Sequence, residues 1–143
     1  MNNKIDCRIV TTENLEAISL LGQQLNPKLT LAETKAYFLQ MFTFETYTCF
    51  GIFINDKLVG ISSGWTTVRL YSGKQLEVDN VIIDSSVQSK GLGKLLFEYI
   101  ESWAKEKDYK TIELNTYVQN SRSHKFYFSL GYSILGFHFW KHI

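Results

Sequence analysis

The stretch from Val81 to Trp103 constrains this chain more than any other. Val81-Ile82-Ile83 is apolar on both faces, as a strand in the middle of a sheet must be. A short polar connection follows, then Gln88-Ser89-Lys90-Gly91-Leu92-Gly93-Lys94. Leu92, Leu95, Leu96, Tyr99, Ile100 and Trp103 then recur as one stripe, with Lys94, Glu98, Glu101 and Lys105 largely outside it. Such a helix needs a sheet to lie on, and the glycine loop must sit at the end of its central strand. The unpaired N–H groups of a first helical turn, together with the helix dipole, favour an anion. Gly91 and Gly93 let the backbone approach it without a Cβ in the way, and Lys90 and Lys94 add countercharge. The Gly-Lys-Ser/Thr ending of a P-loop is missing, and so is the third glycine of a dinucleotide fingerprint. Taken alone, glycines here serve a plain turn as readily as an anion site.

The remaining chain supplies partners for that strand and helix. Ile5 to Val10 reads as a strand. A helix follows, capped by Thr11 or Thr12, with Leu15, Ile18 and Leu21 at helical spacing and Asn26-Pro27 as its stop. Thr30-Leu31-Ala32-Glu33 is a capping-box pattern opening a second helix to about Met41. Tyr47 to Ile54 and Leu58 to Val68 read as strands around an Asn55-Asp56 turn, and Ser72-Gly73 turns the chain into Gln75 to Ile83. Thr111 to Tyr117 reads as a strand, Asn120 to Leu130 as a short helix closed by Gly131, and Tyr132 to Trp140 as a terminal strand interrupted at Gly136. Interleaved strands and helices over 143 residues predict one α/β domain spanning 1–143.

Fifteen Lys and Arg against fourteen Asp and Glu leave a net charge of +1, which gives no reason to expect a nucleic-acid partner. No run approaches the roughly 18 apolar residues of a spanning helix, so no membrane role and a cytoplasmic location are expected. Cys7 and Cys49 lack zinc or redox spacing and read as two buried reduced thiols; His138 and His142 have no partner spacing, so no metal is expected.

The second informative stretch is Asn120-Ser121-Arg122-Ser123-His124-Lys125-Phe126-Tyr127-Phe128-Ser129-Leu130-Gly131-Tyr132. Gln-x-x-Gly-x-Gly followed by Asn-x-x-Ser-x-x-Phe-Tyr-x-x-x-Gly-Tyr resembles the GNAT superfamily of N-acetyltransferases, most specifically from about Leu76 to Tyr132. The resemblance implies a mostly antiparallel twisted sheet of six to seven strands with about four helices, splayed between the fourth and fifth strands. It implies acetyl-CoA as co-substrate and, as acceptor, a primary amine of a small molecule or of a peptide or protein. Backbone groups of Val81, Ile82 and Ile83 are expected to hold the pantetheine arm. Those of Ser89 to Lys94, after Gln88, are expected to cradle the pyrophosphate, and Asn120 to contact the pantetheine or phosphate region. Tyr127 stands at the family's usual general acid; a required neutral hydroxyl there would impose an alkaline limb on activity. A backbone N–H near Ile82 or Ile83 is the expected donor to the thioester oxygen. Asn115 stands where some members carry a catalytic Glu. The base is therefore sought at Asp79, with Glu77 second; the two are on one face of their strand. In this fold the acceptor is expected between Leu25 to Leu31 and Arg69 to Gln75; Trp65, Arg69 and Tyr71 fit its lining and a surface position equally. A homodimer through Phe137-His138-Phe139-Trp140 is expected, and a non-catalytic acyl-CoA binding module is the alternative reading.

Overall fold

The structure, a computed structural model, describes residues 2–88 and 91–143. The chain divides into two compact units, residues 1–113 and 114–143.

In the first unit β1 (Ile5–Val10) leads through a single 3₁₀ turn into α1 (Leu15–Leu25) and α2 (Leu31–Phe42). Thr11 and Thr30 each cap a helix start with a reciprocal capping box, to Asn14 and Glu33 respectively. Strands β2 (Tyr47–Ile54), β3 (Lys57–Arg69) and β4 (Gly73–Ile83) then form an antiparallel meander. Asn55 and Asp56 both take positive φ, which matches the tight turn between β2 and β3 to the twist of the strands. A further 3₁₀ turn, Ser85–Val87, precedes α3 (Leu92–Glu106), and β5 begins at Thr111. The strand order is β1-β2-β3-β4-β5, with β1 antiparallel to β2. The crossover through α3 brings Lys110 beside the start of β4, where its N–H donates to Lys74 O at 2.7 Å.

The sheet is covered on both faces. On one, α1 and α2 bury Ile18, Leu21 and Phe38 against Tyr47, Cys49 and Ile61. On the other, α3 brings Leu92, Leu96, Phe97 and Ile100, and Trp103 meets Phe50 edge-on at 4.9 Å. Phe97 is fully buried and Leu95 is exposed, so the apolar stripe of α3 is rotated slightly from the one read off the sequence. Gly64, which weakens β3 on propensity, makes packing room: a Cβ there would sit 2.8 Å from the Phe50 ring.

The second unit contains the last residue of β5 (Thr111–Leu114) and α4 (Ser121–Ser129). The expected strand over Thr111 to Tyr117 thus ends at Leu114. Among the described residues five strands are present, not six or seven, because the expected terminal strand from Tyr132 to Trp140 does not form. A strand exists only where a neighbour takes its N–H and C=O groups, and alternating aromatics alone do not supply one.

Candidate active site

Strand β4 changes character half-way. Asp79 pairs with Ser63 and Ile82 with Ile61, so β4 spends one residue more than β3 over that interval. This is a β-bulge, and Asn80 within it has φ 49°. Beyond it, the Asp84 N–H donates to Val59 O at 2.7 Å. Antiparallel alternation then turns Ile82 toward β3 and leaves the N–H groups of Val81 and Ile83 facing away from it. Of the stretch expected to carry the thioester donor, near Ile82 or Ile83, it is Val81 and Ile83 that present N–H groups on that edge.

The connection after β4 is held at both ends. Asp84 accepts from the backbone N–H and the hydroxyl of Ser86, both at 3.1 Å. The backbone bond from Ser86 is the main reason its carboxyl stays below the usual range. From α1, Gln24 accepts the Ser85 N–H at 3.0 Å and donates to Asp84 at 3.4 Å. Gln88 donates to Ile83 O at 3.0 Å. Ser89 and Lys90 lie outside the described residues. Gly91 caps α3 with φ 74° and no side-chain bond. Leu95 N–H reaches back to Gly91 O at 3.2 Å, so Leu92, Gly93 and Lys94 contribute first-turn N–H groups with no helical acceptor among the described residues. A Cβ on Gly91 would meet nothing within 4 Å. Donors and open approach together fit a phosphate-bearing ligand.

Glu77 and Asp79 do share a face of β4, opposite Trp65 and Ser63 in register and on the side carrying α1 and α2. Asp79 is exposed and its Oδ1 accepts the Asn80 N–H at 2.8 Å, whereas Glu77 is half-buried with Arg69 at 3.9 Å. Trp65 packs against Tyr47 and Phe44 at 4.8 and 5.8 Å. Tyr71 instead donates to the Glu113 carboxylate at 2.7 and 2.8 Å, tying the β3–β4 turn to β5. The polar bulge residue Asn80 was not singled out in the sequence; an Asn between Asp79 and an apolar run was its only signal.

In the second unit Asn120 caps α4, its Oδ1 accepting Ser123 N–H at 3.2 Å. His124, half-buried, bonds Tyr117 O through Nε2 at 2.9 Å. Gly131 has φ 92°; its N–H donates to Phe128 O, and Tyr132 N–H donates to Tyr127 O at 3.0 Å. That pair is a Schellman motif, and its apolar contact is the Tyr127–Tyr132 ring pair at 5.9 Å. The Gly-Tyr that ends the sequence motif thus fixes the turn from which Tyr127 projects. Burial pushes the Tyr127 hydroxyl up to about 12.

The sequence matches the acetyltransferase (GNAT) family over residues 11–132. The chain belongs to the GNAT acetyltransferase family. The uncharacterized N-acetyltransferase YhdJ of Bacillus subtilis (strain 168) is 26% identical over 98 residues, 68% of this chain and 69% of YhdJ. Streptothricin acetyltransferase of Escherichia coli is 24% identical over 95 residues, 64% of this chain but only 51% of that enzyme. Among solved structures, aminoglycoside N-acetyltransferase AAC(6')-Iy in complex with CoA has a TM-score of 0.87 at 16% identity, covering 100% of this chain and 97% of that one. Glucosamine-6-phosphate N-acetyltransferase from Arabidopsis thaliana has a TM-score of 0.74 at 20% identity, covering 97% and 98%. As a GNAT protein, the chain is an acetyltransferase on an α/β fold with a five-stranded mixed sheet. Among its described residues, no helix is long and apolar enough to cross a membrane, and no three His, Cys, Asp or Glu are grouped to hold a metal.

Some acyl transfers run through a cysteine, and neither thiol here is suited to that. Burial raises Cys7 to about 11 and Cys49 to about 12. At pH 8 about one Cys7 in a thousand is then thiolate. Maleimide labelling of the folded protein at pH 8 should be slow at both thiols and fast after denaturation. Rapid labelling of native Cys7 coupled to loss of turnover would reinstate a cysteine route.

Proposed function

We propose that this GNAT protein transfers acetyl from acetyl-CoA to a primary amine of a small molecule, by direct attack in a ternary complex. The observation that carries this reading is the first turn of α3, whose N–H groups open behind a left-handed Gly91 with free space before it. Leu92, Gly93 and Lys94 would receive the pyrophosphate, with Ser89, Lys90 and Gln88 in the same loop. The Val81–Ile83 edge would take the pantetheine arm, and Asn120 its contact at the start of α4. Asp79 would accept a proton from the acceptor's ammonium. The freed amine would form the new N–C bond as the C–S bond breaks, while a backbone N–H of Val81 or Ile83 supports the oxyanion. Tyr127 would donate to the departing thiolate. The two units would thus work as one domain, in a cytoplasm whose reducing state suits two unpaired thiols.

The test is CoA release from acetyl-CoA across a panel of amines, led by aminoglycosides, streptothricin and amino sugars. Amine-dependent release is expected. Slow hydrolysis that no amine accelerates would turn the reading to an acyl-CoA binding module.

Cofactor binding is tested separately at Gly91. Valine there adds a branched side chain in the phosphate approach and strains a φ of 74°. Asparagine tolerates that backbone better. Calorimetry should show CoA binding weakened about tenfold or more by Gly91→Val, that is about 1.4 kcal/mol, and less by Gly91→Asn. Unchanged affinity in folded Gly91→Val would move the phosphates elsewhere.

The reading includes a homodimer. Phe137 and Phe139 are each 91% exposed and Trp140 80%, more apolar surface than a lone chain keeps in water. Sedimentation at micromolar concentration should find a dimer; a monomer would remove this element.

A further inference from the structure

Asn80 is not a glycine, yet it holds φ 49° in the middle of a sheet. Asparagine is among the few residues that visit this region, but something must keep it there. Its Nδ2 donates to Ser63 Oγ at 3.1 Å, with Met41 Sδ at 3.7 Å. Ser63 Oγ in turn shares a 2.6 Å hydrogen bond with Tyr47 OH. Ser63 is fully buried and Tyr47 nearly so. The Tyr47 ring is wedged between Phe42 at 5.1 Å and Trp65 at 4.8 Å, so the hydroxyl string is anchored in the core that α1 and α2 make with the sheet. A buried polar string with its members paired is stiff.

The string ends on the proposed chemistry. Held left-handed, Asn80 turns its own N–H back to Asp79 Oδ1 at 2.8 Å. That fixes one carboxylate oxygen and leaves Oδ2 for an incoming ammonium. The same extra residue resets the alternation of β4, which is what faces the Val81 and Ile83 N–H groups away from β3. We propose that Tyr47, Ser63 and Asn80 form a positioning unit that, through the left-handed bulge, aims the Asp79 carboxylate and the Val81–Ile83 edge for acyl transfer. This rests on the acetyl-transfer reading above. None of the three residues needs to touch either substrate.

Steady-state kinetics with acetyl-CoA and the best amine of the panel test the unit. Ser63→Ala removes the middle of the string. Asn80→Gly keeps access to positive φ but removes the amide. Tyr47→Phe is the mildest change, since the ring keeps its packing. Misaimed groups commonly cost up to about 10²-fold, so kcat should fall roughly 10–100-fold in Ser63→Ala and Asn80→Gly. KM for acetyl-CoA should stay within about twofold, because the α3 loop is untouched. Adding Ser63→Ala to Asp79→Asn should cost less than it costs the wild type. Should Ser63→Ala fail to fold, Tyr47→Phe carries the same kcat-against-KM test. Suppose Asp79→Asn impairs turnover while Ser63→Ala and Tyr47→Phe keep wild-type kcat and lose only melting temperature. The positioning unit is then overturned and acetyl transfer stands. If the wild type transfers acetyl to no amine, the proposal falls with the reading beneath it.

Discussion

Replacing Tyr127 by Phe should lower kcat by about 10²–10⁴-fold, the usual worth of a positioned general acid, with acetyl-CoA binding nearly unchanged. The ring and its 5.9 Å contact with Tyr132 remain, so the Schellman turn that orients the residue is kept and only the hydroxyl is lost. The pH dependence follows from burial. An ordinary tyrosine ionises near 10, and its loss of a proton would shut off activity there. Burial holds Tyr127 at about 12. The neutral, competent form therefore persists as pH rises, and the alkaline limb moves beyond the working range. Wild type and Tyr127→Phe should share one alkaline profile up to about pH 10, differing in height only. A residue that only packs the helix predicts a small rate loss and a larger stability loss. Retention of more than half the kcat, well under 1 kcal/mol of barrier, would end the acid assignment.

Asp79→Asn should produce the second large loss, again within about 10²–10⁴-fold in kcat, and Glu77→Gln a much smaller one. The carboxylates share a strand face, but Glu77 is half-buried with Arg69 beside it, whereas Asp79 is exposed with one oxygen held by Asn80. Asparagine keeps the size of Asp79 and an oxygen for the Asn80 N–H, so geometry survives and proton acceptance does not. The readout is kcat at saturating amine, since a lost binding contact would appear in KM instead. A larger kcat loss in Glu77→Gln than in Asp79→Asn would exchange the two roles.

Periodicity and turn chemistry carried most of the fold. The limits of β2 were legible because Tyr47 and Ile54 bound a β-branched, aromatic run ending at Asn55-Asp56. The α2 start was legible in its Thr30–Glu33 box. The terminal segment misled because its alternation resembles a strand, while pairing depends on a neighbour that local sequence does not encode. In the candidate site, glycines and the Asn-to-Tyr motif were local and readable. The bulge was not. A register shift arises from how β3 and β4 fit together, and Ser63, Asn80 and Tyr47 are separated by 16 and 17 positions along the chain before they meet. No window of sequence contains all three.

The Gln24 contacts bear on how this scaffold could be re-engineered. Helix α1 is an obvious region to randomise in search of new acceptors, since it covers the same sheet face as Asp79. One of its side chains, however, bonds both Ser85 and Asp84 in the connection that leads to α3. A library that varies position 24 along with its neighbours would disturb the connection to α3 in most of its members, and, if the acetyl-CoA reading holds, those clones would score as inactive whatever their new pocket could bind. Holding Gln24 constant, along with the buried Ile18 and Leu21, separates the two effects and leaves the exposed positions of α1 free to explore.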